Sequence, residues 1–153
     1  MYSLNVPVPT AVSRLATDIA ADLPNARART RGDHTLVCKR LGAGDASYHR
    51  IEARVRDALT GTPAFAARVA SVDLFEDAAT GPSPVVYLAV ESPGLEALHE
   101  RLCDVFDPAD GLEGDDYVPH VTIARGGSVE AARRLAATGI DPVEWTVSEL
   151  VFY

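Results

Sequence analysis

The chain has 153 residues, a formal net charge of −8 at pH 7, and a hydrophobic content of 47%. This length predicts one domain, residues 1–153, and the apolar content is enough for a packed core. The acidic balance argues against binding of long duplex nucleic acid, which needs a basic surface, but is compatible with a small local phosphate site.

The sequence predicts neither a membrane span nor a signal peptide. Its longest wholly apolar run, from Val85 to Val90, is far too short to cross a bilayer, and the N-terminus lacks a basic region followed by a long apolar stretch. Cys38 and Cys103 form no spaced motif. We expect them to be small buried thiols in a cytoplasmic protein that has neither a disulfide nor a zinc site.

Strands and helices alternate along the predicted chain. The first half predicts a strand over 2–8, a helix capped by Thr10, an arginine-dotted connector over 27–32, a strand over 34–41 and a helix capped by Asp45. The second half predicts strands over 65–75 and 85–91, a helix opened by Ser92 and Pro93, an acidic loop over 107–116, a strand at His120, a helix capped by Ser128 and a strand over 145–153. This order indicates an α+β or mixed α/β fold.

One order of elements occurs twice: strand, proline, helix, loop and a strand with a histidine near its start. The first copy runs from Tyr2 to His34 and the second from Val85 to His120. If the halves pack around a pseudo-twofold axis, His34 and His120 face each other across a cleft. His49 and His99 lie on predicted helices and are expected to be structural.

The strand at His120 has two chemically different faces. Val121 and Ile123 point one way, while His120 and Thr122 point the other. A single strand histidine is more often structural than catalytic. A core face, however, rarely holds two polar side chains without partners, whereas a wet cleft does. Strict alternation puts Arg125 on the Val121 face, and a twist at the strand end is needed to bring it to the cleft.

The segment His120-Val121-Thr122, followed by Ile123-Ala124-Arg125, resembles the H-x-T/S motif that occurs twice in the 2H phosphoesterases, in the group of 2′-5′ RNA ligases and cyclic phosphodiesterases. The order of elements is similar over essentially the whole chain. The first motif departs from the pattern because Leu36 stands where the family has a hydroxyl residue, and Thr35 comes one place early. A β-bulge near His34 would turn Thr35 into the cleft; without it, Thr35 is a packing residue.

The resemblance implies a bilobal, pseudo-twofold α+β fold in which two antiparallel sheets line a central cleft and helices lie outside. It also implies that His34 and His120 act as general base and general acid, without a metal or another cofactor. Thr122 and Thr35 would hold phosphate oxygens, and Arg125 is a further candidate for that contact.

The implied partner is a nucleotide or RNA terminus bearing a 2′,3′-cyclic phosphate, which the protein would hydrolyse or, in reverse, join by 2′-5′ ligation. Tyr117 and Tyr2 lie near the starts of the histidine strands and are candidates for stacking on a base. For Lys39 and Arg40, a solvated strand end is the simpler expectation. The alternative function is a binding module for nucleotides or RNA ends that keeps the cleft and lacks turnover.

Overall fold

The computed structural model describes residues 2–42 and 47–153. Its strands are β1 (Ser3–Val6), β2 (Arg27–Ala28), β3 (Leu36–Arg40), β4 (Phe65–Phe75), β5 (Val85–Glu91), β6 (His120–Arg125), β7 (Val143–Val147) and β8 (Val151–Phe152). Its helices are α1 (Thr10–Ala20), α2 (Tyr48–Leu59), α3 (Pro93–Cys103) and α4 (Val129–Ala136), with a 3₁₀ turn at Gly114–Asp116. Among these, no helix is long and apolar enough to span a bilayer.

Two of the predicted helix caps are confirmed. The hydroxyl of Ser92 accepts a hydrogen bond from the Leu95 N–H at 3.2 Å, and that of Ser128 accepts one from the Ala131 N–H at 3.2 Å. The cap predicted at Thr10 is wrong, because Thr10 is already the first helical residue and α1 begins without a side-chain cap. Asp45 lies outside the described residues.

The strands form two antiparallel sheets. One has three strands in the order β3-β1-β8, and the other has five in the order β2-β6-β5-β4-β7. The single strand predicted over 145–153 is wrong: β7 pairs with β4 in the larger sheet, and β8 pairs with β1 in the smaller one. The chain therefore passes from one sheet to the other between Val147 and Val151. The predicted α+β fold with two antiparallel sheets is confirmed.

Helices α1 and α3 both contact the sheet that does not contain the strand before them. Helix α1 follows β1 of the smaller sheet and contacts β6 of the larger one, while α3 follows β5 of the larger sheet and contacts β3 of the smaller one as well as β4 of its own sheet. This packing buries apolar side chains from both halves, including Val12, Leu95, Leu98, Val121 and Ile123. Each such side chain contributes about 1.5–3 kcal/mol to folding.

Strand β3 contains a β-bulge at Cys38. Consecutive residues of β1 lie opposite Lys39 and Val37, so Cys38 is an additional residue in the ladder. The bulge interrupts the alternation of faces, and the side chains of Cys38 and Lys39 are both fully buried. Arg40 consequently returns to the face of Val37 and lines the same cavity as Val37 does.

Strand β6 contains the corresponding bulge at Ile123. Consecutive residues of β5 lie opposite Ala124 and Thr122, which leaves Ile123 as the additional residue. Ile123 and Ala124 are both fully buried, and Arg125 returns to the face of His120. Strict alternation would place Arg125 on the Val121 face, and the bulge moves it to the His120 face.

Candidate functional site

His120 begins β6 and is packed edge-on against two aromatic rings. Its ring centroid lies 5.3 Å from that of Phe75 and 5.3 Å from that of Tyr87, with interplanar angles of 87° and 62°. Its Nδ1 lies 2.7 Å from the carbonyl oxygen of Val118. Because a carbonyl only accepts, Nδ1 is the donor in this bond. Nε2 is therefore the nitrogen left to exchange a proton with a ligand.

The surroundings of His120 favour its neutral form. Burial lowers the pKa of the imidazole, the Val118 carbonyl raises it, and the charges of Arg40 and Arg125 lower it. The net effect is a pKa below the ordinary value of 6.5. At neutral pH, Nε2 is accordingly available as a proton acceptor.

His120 shares a cavity of about 180 Å³ with both arginines. Arg125 is anchored at one side, where its Nη1 donates to the Thr80 carbonyl at 2.6 Å. Asp77 and Asp116 also line the cavity. The combination of an imidazole and two guanidinium groups is suited to an anion that undergoes proton transfer. Within the described residues, no group of His, Cys, Asp and Glu is arranged to hold a metal ion.

His34 lies just before β3 and lines a different cavity, of about 320 Å³. It is 7% exposed, and neither of its ring nitrogens has a hydrogen-bond partner among the described residues. Burial lowers its pKa. Thr35 and Arg31 line this second cavity too. Across residues 2–42 and 47–153, neither of the two cavities is lined by both histidines.

The pairing registers show which positions of the two halves correspond. Counted from the equivalent bulges, Arg40 matches Arg125 and Val37 matches Thr122. One residue earlier, Leu36 matches Val121. His34 and Thr35 precede β3 and lie outside this pairing, so the equivalence of His34 and His120 stays a prediction.

Lys39 is not at a solvated strand end, as the sequence suggested, but in a buried ion pair. Its Nζ lies 2.7 Å from Oε1 of Glu113, and the two side chains are 0% and 1% exposed. The bulge at Cys38 causes this burial by turning Lys39 inward. The sequence contained one signal of this role: Lys39 is the only lysine among 14 basic residues. No sequence pattern pointed to Glu113 or to the orientation of Arg40.

Tyr117 and His99 form a buried support behind the cavity. Their rings stack with centroids 3.7 Å apart, and the Tyr117 hydroxyl donates to the Val37 carbonyl at 2.7 Å. Nε2 of His99 accepts from the Gly114 N–H at 3.0 Å, so Nδ1 is the donor to the Cys38 carbonyl at 2.7 Å. His99 is thus a structural histidine, as predicted.

The family model of the 2′-5′ RNA ligase superfamily matches residues 38–153. The chain belongs to the 2′-5′ RNA ligase superfamily. This confirms the predicted resemblance to the 2H phosphoesterases and supports a 2H phosphoesterase-like activity. The matched residues include His120, Thr122 and Arg125, and they begin after His34 and Thr35. Among curated proteins, none matches the chain.

Two solved structures share the fold of this superfamily member. TT0787 of Thermus thermophilus is 18% identical, with a TM-score of 0.65, and the match covers 99% of this chain and 86% of that one. LigT of E. coli, complexed with 3′-AMP, is 20% identical, with a TM-score of 0.66 and coverage of 99% and 85%. Both matches include both of the sheets described above.

The remaining predicted site residues lie in different places in this superfamily member. Thr122 is half-buried on the His120 face of β6, and Thr35 is exposed. Tyr117 lines the His120 cavity with one ring face covered by His99. Tyr2 packs with Tyr48 and Phe152. It is not among the residues that line the His120 cavity in the described part of the chain.

Proposed function

We propose that this protein is a metal-independent cyclic phosphodiesterase that hydrolyses 2′,3′-cyclic phosphates on nucleotides or RNA 3′ ends. The observation that carries the proposal is the cavity in which Nε2 of His120 is left free beside Arg40 and Arg125. Membership in the 2′-5′ RNA ligase superfamily supports it, as does the fold shared with LigT, which was solved with 3′-AMP. The acidic chain favours small or terminal substrates over long duplexes.

In the proposed reaction, a water oxygen forms a bond to phosphorus and one ribose oxygen–phosphorus bond breaks. Nε2 of neutral His120 takes the proton of the attacking water, and the leaving ribose oxygen gains a proton. Arg125 and Thr122 bind the non-bridging oxygens as their negative charge increases. A 5′-hydroxyl that attacks phosphorus in place of water, with the same loss of its proton and with the bond from phosphorus to the 3′ oxygen broken, gives a 2′-5′ linkage.

The sequence predicts one of the two proton transfers for His34 without deciding which, and that stays a prediction. His34 lines a different cavity from His120. Thr35 lines that cavity as well and stays a predicted phosphate ligand. Tyr117 and Tyr2 stay predicted base-stacking residues.

The testing experiment is hydrolysis of the four 2′,3′-cyclic nucleoside monophosphates in EDTA at several salt concentrations. We expect the wild type to turn over in EDTA and His120→Ala to lose roughly 10²–10⁴ in rate. His49→Ala is the matched control, because His49 is an exposed helix residue, and it should retain full rate. Loss of wild-type turnover in EDTA would exclude the metal-independent reaction.

A second candidate function is a nucleotide or RNA-end binding module without turnover. It is favoured by one observation: the first half has the apolar Val37 where the second half has Thr122. The same assay separates the two functions. A binding module would bind 3′-AMP saturably and more weakly after His120→Ala, with no hydrolysis at any salt concentration.

A further inference from the structure

Arg40 is fixed by both of its backbone groups. Its N–H donates to Oε2 of Glu113 at 2.8 Å, and its carbonyl accepts from Nζ of Lys39 at 2.8 Å. The two side chains that hold it are joined to each other at 2.7 Å in the protein interior. Arg40 therefore leaves β3 in one defined direction, into the cavity that His120 lines.

The same ion pair holds the loop that forms part of the cavity wall. Oε1 of Glu113 accepts from the Ala109 N–H at 3.0 Å, and Lys39 Nζ donates to the Asp107 carbonyl at 3.3 Å. Gly111 and Leu112 of this loop line the cavity together with Arg40. The pair thus couples the position of Arg40 to the shape of the wall.

Stability alone does not account for a buried pair of this kind. Taking two charges out of water is costly, and an apolar pair of similar size is often as stable or more stable. An apolar pair, however, would leave the Arg40 N–H and the Ala109 N–H without their acceptor. Only the charged pair accepts these hydrogen bonds, and it thereby holds Arg40 and the loop in position.

Arg40 and Arg125 differ in how their side chains are engaged. They occupy matching positions after matching bulges, and both charges lower the pKa of His120. The Arg125 guanidinium donates to Thr80, whereas that of Arg40 has no hydrogen bond to any residue in 2–42 or 47–153. A guanidinium with free donors beside an imidazole is well suited to bidentate binding of a phosphate.

We propose that Arg40 is a second phosphate-binding residue of this cleft, positioned by Lys39 and Glu113, and that it favours a terminal phosphate monoester over a cyclic diester. This inference rests on the proposed function, because it places the nucleotide in the same cavity. A cyclic diester carries one negative charge, whereas a monoester carries about −1.5 to −2 at pH 7. A second guanidinium therefore interacts more strongly with the monoester, which is the product of the proposed hydrolysis.

The test measures binding in the His120→Ala background, which removes the titrating imidazole and the proposed turnover. We expect Arg40→Met to lower the affinity for 3′-AMP and 2′-AMP about tenfold to hundredfold. The affinity for adenosine 2′,3′-cyclic phosphate should fall less, and that for adenosine should not change. Arg40→Lys should recover part of the loss. Arg14→Met removes an exposed charge on α1 and should change none of these affinities.

The outcomes of this test are independent of hydrolysis. If the wild type shows no turnover but Arg40→Met still weakens 3′-AMP selectively, the proposed function fails and this inference stands. If Arg40→Met leaves 3′-AMP affinity unchanged, or weakens monoester and diester equally, the inference about Arg40 is overturned.

The positioning role is tested by the double variant Lys39→Met/Glu113→Leu, which replaces the pair by apolar side chains. We expect this double variant to lose nearly as much 3′-AMP affinity as Arg40→Met does. Adding Arg40→Met to the double variant should cause little further loss of affinity. If a folded double variant binds 3′-AMP as the parent does, the positioning role is overturned. If the double variant does not fold, Glu113→Gln is measured in its place. We expect it to lose part of the 3′-AMP affinity, and an unchanged affinity would overturn the positioning role.

Discussion

At His120, the Val118 carbonyl accepts the hydrogen bond of Nδ1 and leaves Nε2 for proton exchange. At His34, both ring nitrogens are buried without partners among the described residues. Burial lowers the pKa of both imidazoles, but only His120 also has two arginines beside it that line the same cavity. These differences in environment give two experimental predictions at the scale of single residues.

The first prediction concerns the pH dependence of turnover. If neutral His120 is the base, the rate should fall as pH decreases through its pKa, which lies below 6.5. Arg40→Met removes a charge that lowers this pKa, so the acid limb should move to higher pH. The measurement is the pH profile of kcat/KM, which reports the free enzyme, together with an NMR titration of the imidazole. An acid limb that stays in place in Arg40→Met would contradict the assignment.

The second prediction concerns the stability contributed at His34. Its pKa is lowered in the folded state, so the unfolded state binds more protons below pH 6.5. Stability should therefore be greatest above pH 6.5 and decrease as pH falls toward the folded-state pKa. His34→Leu should remove this decrease, because it deletes the titrating imidazole.

Denaturant unfolding between pH 5 and pH 8 measures this effect, with His49→Leu as the exposed control. Turnover of the same His34→Leu protein tests the predicted catalytic role separately. Full activity without the decrease in stability would make His34 a structural residue, whereas a lost rate in a stable protein would restore it as an acid or base.

At the scale of single elements, one additional residue in a strand decides what faces the cleft. Without the bulge at Ile123, alternation would place Arg125 on the core face of β6. Without the bulge at Cys38, Lys39 would face the cleft in place of Arg40. Arg40 and Arg125 therefore point into the cleft because each strand has a bulge at the same position.

Helix α3 depends on a close approach at its first turn. A Cβ on Gly94 would lie 2.4 Å from the Cβ of Phe65 on β4, a distance that requires the helix or the strand to shift. Gly94→Ala should cost about 1–3 kcal/mol of unfolding free energy. Gly139→Ala is the control, because a Cβ there meets nothing within 4 Å. Thermal unfolding of the two variants compares them, and equal melting temperatures would refute this packing argument.

At the scale of the whole molecule, the halves are interlocked. Helix α1 contacts the larger sheet and α3 contacts both sheets, and the Lys39–Glu113 pair connects β3 to the loop that precedes β6. The cavity beside His120 is formed by residues from both halves, among them Val37 and Arg125. A substitution that disturbs the packing of either half should therefore change the shape of this cavity.

Acid stability tests the Lys39–Glu113 connection. Burial raises the pKa of Glu113, but hydrogen bonds from the Arg40 N–H, Lys39 and the Ala109 N–H outweigh it and leave the pKa below 4.5. Stability from this carboxylate should be present above pH 4.5 and lost as pH falls through the folded-state pKa. Glu113→Ala should cost about 3–5 kcal/mol at pH 7 by leaving Lys39 buried alone.

Urea unfolding at pH 7 and pH 3 gives the measurement, with Glu52→Ala, at an exposed helix pair, as the control. The difference between wild type and Glu113→Ala should shrink at pH 3. If the unfolding free energies of wild type and Glu113→Ala differ equally at pH 7 and pH 3, the carboxylate charge contributes no stability.

Features that depend on neighbours along the chain could be predicted from the sequence alone. Apolar periodicity predicted β4, β5 and the helices, and the serine caps at Ser92 and Ser128 were correct because a cap contacts residues three positions away. The placement of His120 and Thr122 on one face followed from local alternation. The positions of both bulges, the burial of Lys39 and the placement of His34 and His120 at different cavities became visible only in the tertiary structure. A bulge is defined only by the partner strand, and a one-residue change of register moves every later side chain to the opposite face.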